Sequence, residues 1–196
     1  MPSGECFYAA SVSLVDHHVA VLISGISASG KSTVSDLLAR RFERGVHVRG
    51  DVFRRMVVAG RAEMTSDPSL DASRQLRLRY ALGATTTDAY FDAGFSVVVQ
   101  DIVIGSTLRE YVHSIRSRPL CVVVLAPSSA IVAGRETSRG KTAYRPGFDT
   151  IERLDDVLRA ETPRLGLWLD TSEQTPDETV EEIVQRAWSE GRVDTN

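Results

Sequence analysis

A run of nine residues carries the clearest chemistry in this 196-residue chain. It holds two glycines five positions apart, the second followed by lysine and two hydroxyl residues, in the pattern G-x-x-x-x-G-K-S. Backbone amides of such a loop point inward and surround a polyphosphate. The lysine ammonium reaches the β- and γ-phosphates, and the serine hydroxyl is a ligand for Mg²⁺. We therefore expect a nucleoside triphosphate and Mg²⁺ to bind at Gly25, Ile26, Ser27, Ala28, Ser29, Gly30, Lys31, Ser32 and Thr33, with Lys31 acting in catalysis and Ser32 on the metal.

Two carboxylates are predicted to lie near this loop. The apolar run 19–23 before the loop predicts a strand, and the pattern from 34 to 44 predicts a helix whose positive end faces the phosphates. Two further predicted strands, 46–48 and 95–101, lead to Asp51 and Asp101. Ligands of an open parallel sheet bind beyond the carboxyl ends of its strands, so both acids should approach Lys31.

Phosphate transfer to a hydroxyl uses an acid that orients or deprotonates the acceptor, and often another that holds Mg²⁺. We assign Asp51 as a general base that contacts the acceptor, and Asp101 as a Mg²⁺ partner or an acceptor contact. The alternatives are that Asp51 only caps a helix and that Asp101 is only structural. Which of the two is the base stays open.

A basic segment, 135–147, predicts a short lid over the phosphates. It contains Arg135, Arg139, Lys141 and Arg145. Arginines that arrive on closure stabilise the charge of the transferring group, so we assign Arg135 and Arg139 to catalysis and Arg135 also to ATP binding. Either arginine could contact the transferring phosphate, and a merely charged surface is the alternative.

A long predicted helix, 70–91, is expected to border the acceptor site. Its polar face includes Gln75, Arg77 and Arg79, and we assign Arg79 to acceptor binding, with a solvated face as the alternative. The acceptor pocket itself should be shaped by residues 56–79, where the sequence contains no known pattern.

Strand and helix alternate along the whole chain, which predicts an α/β fold with a doubly wound parallel sheet. Other predicted helices cover 52–61, 108–116, 129–136, 149–161 with a capping box from Asp149 to Glu152, and a last one from Thr175. Two more strands are predicted at 120–125 and 165–170. The length fits a single domain, 1–196, with an N-terminal extension, 1–17.

The composition excludes several classes of function. A net charge of −3 gives no footprint for nucleic acid, and no apolar run reaches membrane-spanning length. The N-terminus lacks a secretory pattern, and two distant cysteines make no disulfide framework, so we expect a cytoplasmic protein. A monomer and a homodimer are both compatible with the sequence.

The loop, the Asp51-Val52-Phe53-Arg54 turn, the strand to Asp101 and the basic lid together resemble a known family. This is the group of small P-loop kinases that includes chloramphenicol phosphotransferase, gluconate kinase and the kinase domain of polynucleotide kinase, grouped with AAA-type ATPases. The resemblance implies five parallel strands in the order 2-3-1-4-5. It also implies that Asp51 activates the acceptor hydroxyl, that Arg54 contacts the acceptor, and that Arg135 or Arg139 meets the ATP phosphates. Arg49-Gly50-Asp51 lacks the second acid of a shikimate-kinase-like metal site.

These observations predict an ATP- and Mg²⁺-dependent kinase that acts on the hydroxyl of a small molecule, either a metabolite or an antibiotic. A polynucleotide 5′-hydroxyl kinase is one alternative, which the acidic balance disfavours. A nucleotide-binding ATPase or regulatory module without an acceptor is the other. A guanine-specific switch is excluded because its Asn-Lys element is absent, the sole asparagine being Asn196.

Overall fold

The computed structural model describes residues 13–138 and 150–194. Five parallel strands form one sheet in the order β2-β3-β1-β4-β5, which confirms the predicted fold class and strand order. The strands are β1 Ala20–Ser24, β2 Gly45–Arg49, β3 Ser96–Gln100, β4 Leu120–Leu125 and β5 Leu167–Leu169. In the centre of the sheet Leu22 pairs with Val99 on one side and with Val122 on the other.

Helices cover both faces of this sheet. They are α1 Lys31–Ala39, α2 Gly50–Met56, α3 Leu70–Asp92, α4 Thr107–Ser114, α5 Ser129–Ser138, α6 Ile151–Asp156 and α7 Pro176–Glu190, and a π-helical turn, Val157–Glu161, continues α6. On one face, Leu22 and its neighbours join a core with residues of α3 and α4. On the other, Ile23 joins a core with residues of α1 and α7. Burial on both faces explains why β1, β3 and β4 are nearly continuous apolar runs.

Two helices differ from their predicted bounds. The helix predicted over 52–61 is wrong at its C-terminal end, because α2 ends at Met56 and the chain runs without a helix to Ser69. The capping box predicted from Asp149 to Glu152 is also wrong: Thr150 is the N-cap, and its side chain accepts a hydrogen bond from the Arg153 backbone N–H at 3.2 Å. The reciprocal capping box at the start of α7, between Thr175 and Glu178, is confirmed.

Within residues 13–138 and 150–194, none of the helices combines the length and the apolar character needed to cross a membrane.

A buried ion pair joins the end of β3 to α3. Asp101 is only 2% exposed. Its carboxylate accepts hydrogen bonds from both Nε and Nη2 of Arg79, and the Nε to Oδ2 distance is 2.7 Å. The Asp101 carboxylate lies directly over Gly50, so that a Cβ added to Gly50 would overlap its Oδ2 and Cγ atoms. Gly50 therefore lets the start of α2 approach the end of β3.

We expect Gly50→Ala to destabilise the protein by about 1–3 kcal/mol, because the new methyl group displaces the paired Asp101 carboxylate. Urea unfolding measures the change. Gly134→Ala is the matched control: Gly134 is also helical, has open space around its Cα, and should gain up to about 1 kcal/mol from alanine. Equal stability of Gly50→Ala and Gly134→Ala would contradict this packing of Asp101 over Gly50.

Candidate active site

The glycine-rich loop between β1 and α1 has a backbone that favours glycine at both of its ends. Gly25 has a φ of 143° and Gly30 a φ of 99°, and Ala28 also lies in the left-handed region at 60°. A Cβ on Gly25 would contact the Leu125 carbonyl oxygen at the end of β4 and Ser29 Oγ at 2.8 Å. Alternation of left- and right-handed residues turns successive amides toward one side and forms an anion-binding concavity.

Lys31 lies inside this loop. It is the first residue of α1 and only 7% exposed. Its Nζ donates to the Ile26 carbonyl at 2.6 Å and to Ser29 Oγ at 3.4 Å. The ammonium group is thus held at the concave side of the loop, where it adds its charge to that of the helix N-terminus.

A polar cavity of about 160 Å³ opens beside the loop. It is bounded by loop residues, the start of α2, Arg79 of α3 and the residues at the end of β3. Its lining residues are Ser27, Ala28, Gly30, Lys31, Ser32, Asp51, Arg79, Gln100, Asp101 and Ile102. The two predicted carboxylates, the predicted metal ligand Ser32 and Lys31 therefore line one cavity, as the strand ends suggested.

The two carboxylates differ in their surroundings. Asp51 Oδ2 accepts a hydrogen bond from Arg55 at 2.7 Å, whereas its Oδ1 is buried and has no hydrogen-bond partner within the described part of the chain. Both oxygens of Asp101 have partners: each accepts a hydrogen bond from Arg79, and Oδ1 also accepts the Ile102 backbone N–H at 2.7 Å. A proton acceptor needs a vacant oxygen, so this difference favours Asp51 as the base over Asp101.

The buried pair is held by its neighbours. Tyr80, next to Arg79, donates its hydroxyl to the Ile102 carbonyl at 2.7 Å. Burial raises the pKa of Tyr80 to about 12, so its hydroxyl remains a donor at neutral pH. Burial also lowers the pKa of Arg79, although an arginine keeps its charge under these conditions. Asp101 and Arg79 thus form one fixed unit beside the loop.

The donor set suits a Mg²⁺ ion that is held largely by a nucleotide. Outside the gaps at 1–12, 139–149 and 195–196, the structure shows no cluster of three His, Cys, Asp or Glu side chains suited to a metal. Ser32 and Asp51 nevertheless line the same cavity as Lys31, and one Asp51 oxygen has no partner among the described residues. Mg²⁺ commonly takes one or two protein oxygens together with phosphates and water, so the residues present fit it. The predicted metal role of Asp101 would require its pair with Arg79 to open.

Arg135 lies on α5 against the loop. Its guanidinium donates to the Ser29 carbonyl at 3.4 Å and to the Thr171 carbonyl, after β5, at 3.0 Å. Arg135 therefore already contacts the glycine-rich loop, and it does so from the last turn of a helix rather than from a separate lid. Arg139 and the rest of the predicted lid, 139–147, lie outside the described residues.

The predicted acceptor contact Arg54 lies at a second cavity, between α2, the chain after it, and α3. Its guanidinium is paired with Glu63. Gln75 holds the same segment in place: it accepts the Ala62 N–H at 3.0 Å and donates to the Gly60 carbonyl at 2.8 Å.

Neither Glu63 nor Gly50 was identified from the sequence, because their contacts involve partners that periodicity does not indicate. The apolar residues Met56 and Met64, in a mostly polar segment, were the signal in the sequence from which this cavity could have been predicted.

Comparisons with known proteins agree with this fold. A sugar kinase from Janibacter sp. HTCC2649 shares 21% identity, with 85% of this chain and 92% of that chain covered and a TM-score of 0.64. A gluconokinase from Sinorhizobium meliloti 1021 shares 19% identity, with 84% of this chain and 89% of that chain covered and a TM-score of 0.57. The Deinococcus radiodurans tunicamycin resistance protein shares 15% identity, with 90% of this chain and 98% of that chain covered and a TM-score of 0.61. None of the curated proteins compared matches the sequence significantly.

These likenesses show a shared fold, and they confirm the expected resemblance to small P-loop kinases. A family model described as an AAA domain (AAA_33) matches residues 21–163, from β1 through the turn that follows α6. That span includes the phosphate loop, both carboxylates and the helix that carries Arg135. The chain therefore belongs to this AAA domain family, with the fold of the P-loop kinases.

Proposed function

We propose that this protein is an ATP- and Mg²⁺-dependent phosphotransferase that moves the γ-phosphate of ATP to a hydroxyl group of a small molecule. The observation that carries the proposal is the Asp51 carboxylate, which lines the same cavity as Lys31 and Ser32 and keeps one buried oxygen without a partner. A loop that binds phosphate would suit any nucleotide-binding protein. An unsatisfied acid facing that loop suits proton removal from an acceptor.

In the proposed reaction, different residues bind the phosphates and remove the proton. Loop amides and Lys31 hold the triphosphate and balance its charge. Asp51 accepts the proton of the acceptor hydroxyl as the hydroxyl oxygen bonds to the γ-phosphorus. The bond from that phosphorus to the β–γ bridging oxygen breaks, and ADP leaves with the electron pair. The products are ADP, a phosphate monoester and one proton on Asp51, which then passes to water.

Mg²⁺, when bound together with the nucleotide, would neutralise negative charge that develops on the phosphate oxygens. Ser32 is the side chain best placed to hold it, because its hydroxyl lines the cavity next to Lys31. Arg135, at the outer side of the loop, would add a further positive charge near the phosphates.

Asp51→Asn should lower kcat for phosphate transfer by about 100-fold to 10,000-fold, because an amide cannot take the proton. ATP affinity should change little. Transfer from labelled ATP to a panel of alcohols and hydroxylated metabolites measures the rate, and calorimetry measures ATP binding. The matched control is Asp36→Asn, which removes an aspartate that pairs with an arginine four residues later, as Asp51 does, but lies outside the cavity. Turnover of Asp51→Asn within a few-fold of wild type would rule out the base.

Arg135→Met should reduce kcat by at least about 100-fold while weakening ATP binding less than tenfold, because charge on the transferring group is greatest in the transition state. The same labelled-ATP assay at saturating ATP measures kcat. Arg109→Met, at an exposed arginine of α4, is the control and should behave as wild type. A change confined to the KM for ATP would instead make Arg135 a nucleotide-binding residue without a catalytic part.

A further inference from the structure

A second cavity of about 190 Å³ lies next to the phosphate site, and its lining is mainly apolar. It is formed by α2, the non-helical chain after it, and the first half of α3. Its apolar lining includes Phe53, Met56, Met64, Leu76, Leu78 and Leu82. Among the described residues, four of the seven large exposed apolar side chains lie here, namely Met56, Met64, Leu78 and Leu82. Exposed apolar side chains that cluster in this way mark a binding site, whereas scattered ones do not.

The apolar cavity adjoins the polar cavity beside the glycine-rich loop, because Arg79 lines both. Arg79 cannot swing freely, because the buried Asp101 holds it. Helix α2 also links the two, since Asp51 lines the polar cavity and Arg54, three residues later, lines the apolar one. A molecule that fills the apolar cavity would therefore lie beside the helix that carries Asp51.

The few polar groups in the apolar cavity are already engaged. Arg54 pairs with Glu63, and Arg79 pairs with Asp101. The Gln75 amide uses its oxygen on the Ala62 N–H, and its nitrogen on Gly60 and Asp71. A sugar or another polyol would find few free partners for its hydroxyls here, and each hydroxyl buried without a partner would weaken binding by roughly one to two orders of magnitude.

We propose that the acceptor is an alcohol with an apolar body, aromatic or aliphatic, that occupies this cavity and directs one hydroxyl toward Asp51. The inference rests on the proposed transfer to a hydroxyl. An engineered apolar cavity of about 150 Å³ binds benzene, so the present cavity accepts a ring or a chain of roughly six to eight carbons. Such a volume suits a small molecule and is too small for a helix or strand of another protein.

The test uses straight-chain primary alcohols from 1-propanol to 1-octanol as probes, with glycerol, glucose and gluconate as the polar set. Calorimetry with ADP and Mg²⁺ present measures binding to the full chain, and labelled ATP measures transfer. We expect affinity to rise about fourfold per added methylene until the cavity is full, because each buried methylene removes a similar apolar area from water. The polyols should bind at least about 100-fold more weakly than 1-octanol.

The matched variants are Leu78→Gln and Leu70→Gln. Both leucines lie on the solvent side of α3, 55% and 64% exposed, but only Leu78 lines the cavity. Leu78→Gln should weaken 1-octanol binding about tenfold, and Leu70→Gln should leave it unchanged.

The outcomes separate this inference from the proposed function. Alcohols that bind with the expected chain-length dependence and are not phosphorylated would support the apolar occupant and count against the kinase. Phosphorylation of glucose or gluconate in preference to the alcohols would support the kinase and overturn the apolar acceptor. Equal loss of 1-octanol binding in both variants would also overturn it. So would a change of oligomeric state in Leu78→Gln without alcohol binding, because the cavity would then be a protein interface.

Discussion

The buried pair of Asp101 and Arg79 is the constraint on which the rest of the site depends. Two charges removed from water are stable only together, and removal of one partner from such a pair typically costs about 3–5 kcal/mol. This pair fixes α3 against the end of β3, and its carboxylate packs on Gly50 at the start of α2. The positions of α2 and of Asp51 follow from that contact. The ion pair therefore sets how closely the start of α2 approaches the end of β3.

The same pair explains why two carboxylates at neighbouring strand ends have different surroundings. Parallel strands bring Asp51 and Asp101 to one edge of the sheet. Asp101 neutralises a buried arginine and accepts hydrogen bonds on both oxygens, an arrangement that suits a structural residue. Asp51 remains half-exposed, with one buried oxygen unsatisfied. Both acids thus lie at the same cavity, and they differ in whether each of their oxygens has a hydrogen-bond partner.

The sequence predicts the elements that depend on local pattern. Apolar runs located all five strands, the glycine spacing located the loop at Gly25 and Gly30, and the carboxyl-end rule placed Asp51 with Lys31. What it missed depends on contacts between distant residues. Nothing near Asp101 indicates that its partner is Arg79, twenty-two positions away on another element. The early end of α2 was missed for a similar reason, since Gln75 of α3 holds the chain at Gly60 and Ala62 in a non-helical course.

The glycine-rich loop and the apolar cavity differ in how the fold supports them. The phosphate loop is built on strand ends that are buried in the sheet, so its geometry is set by the core. The apolar cavity lies between α2 and α3, where Gln75 of α3 hydrogen-bonds the connecting chain at Gly60 and Ala62, and Glu63 of that chain pairs with Arg54 of α2. A few substitutions there would alter the cavity without disturbing the sheet. The sugar kinase and the tunicamycin resistance protein share this fold with the chain, and a fold does not by itself determine which molecule a protein acts on.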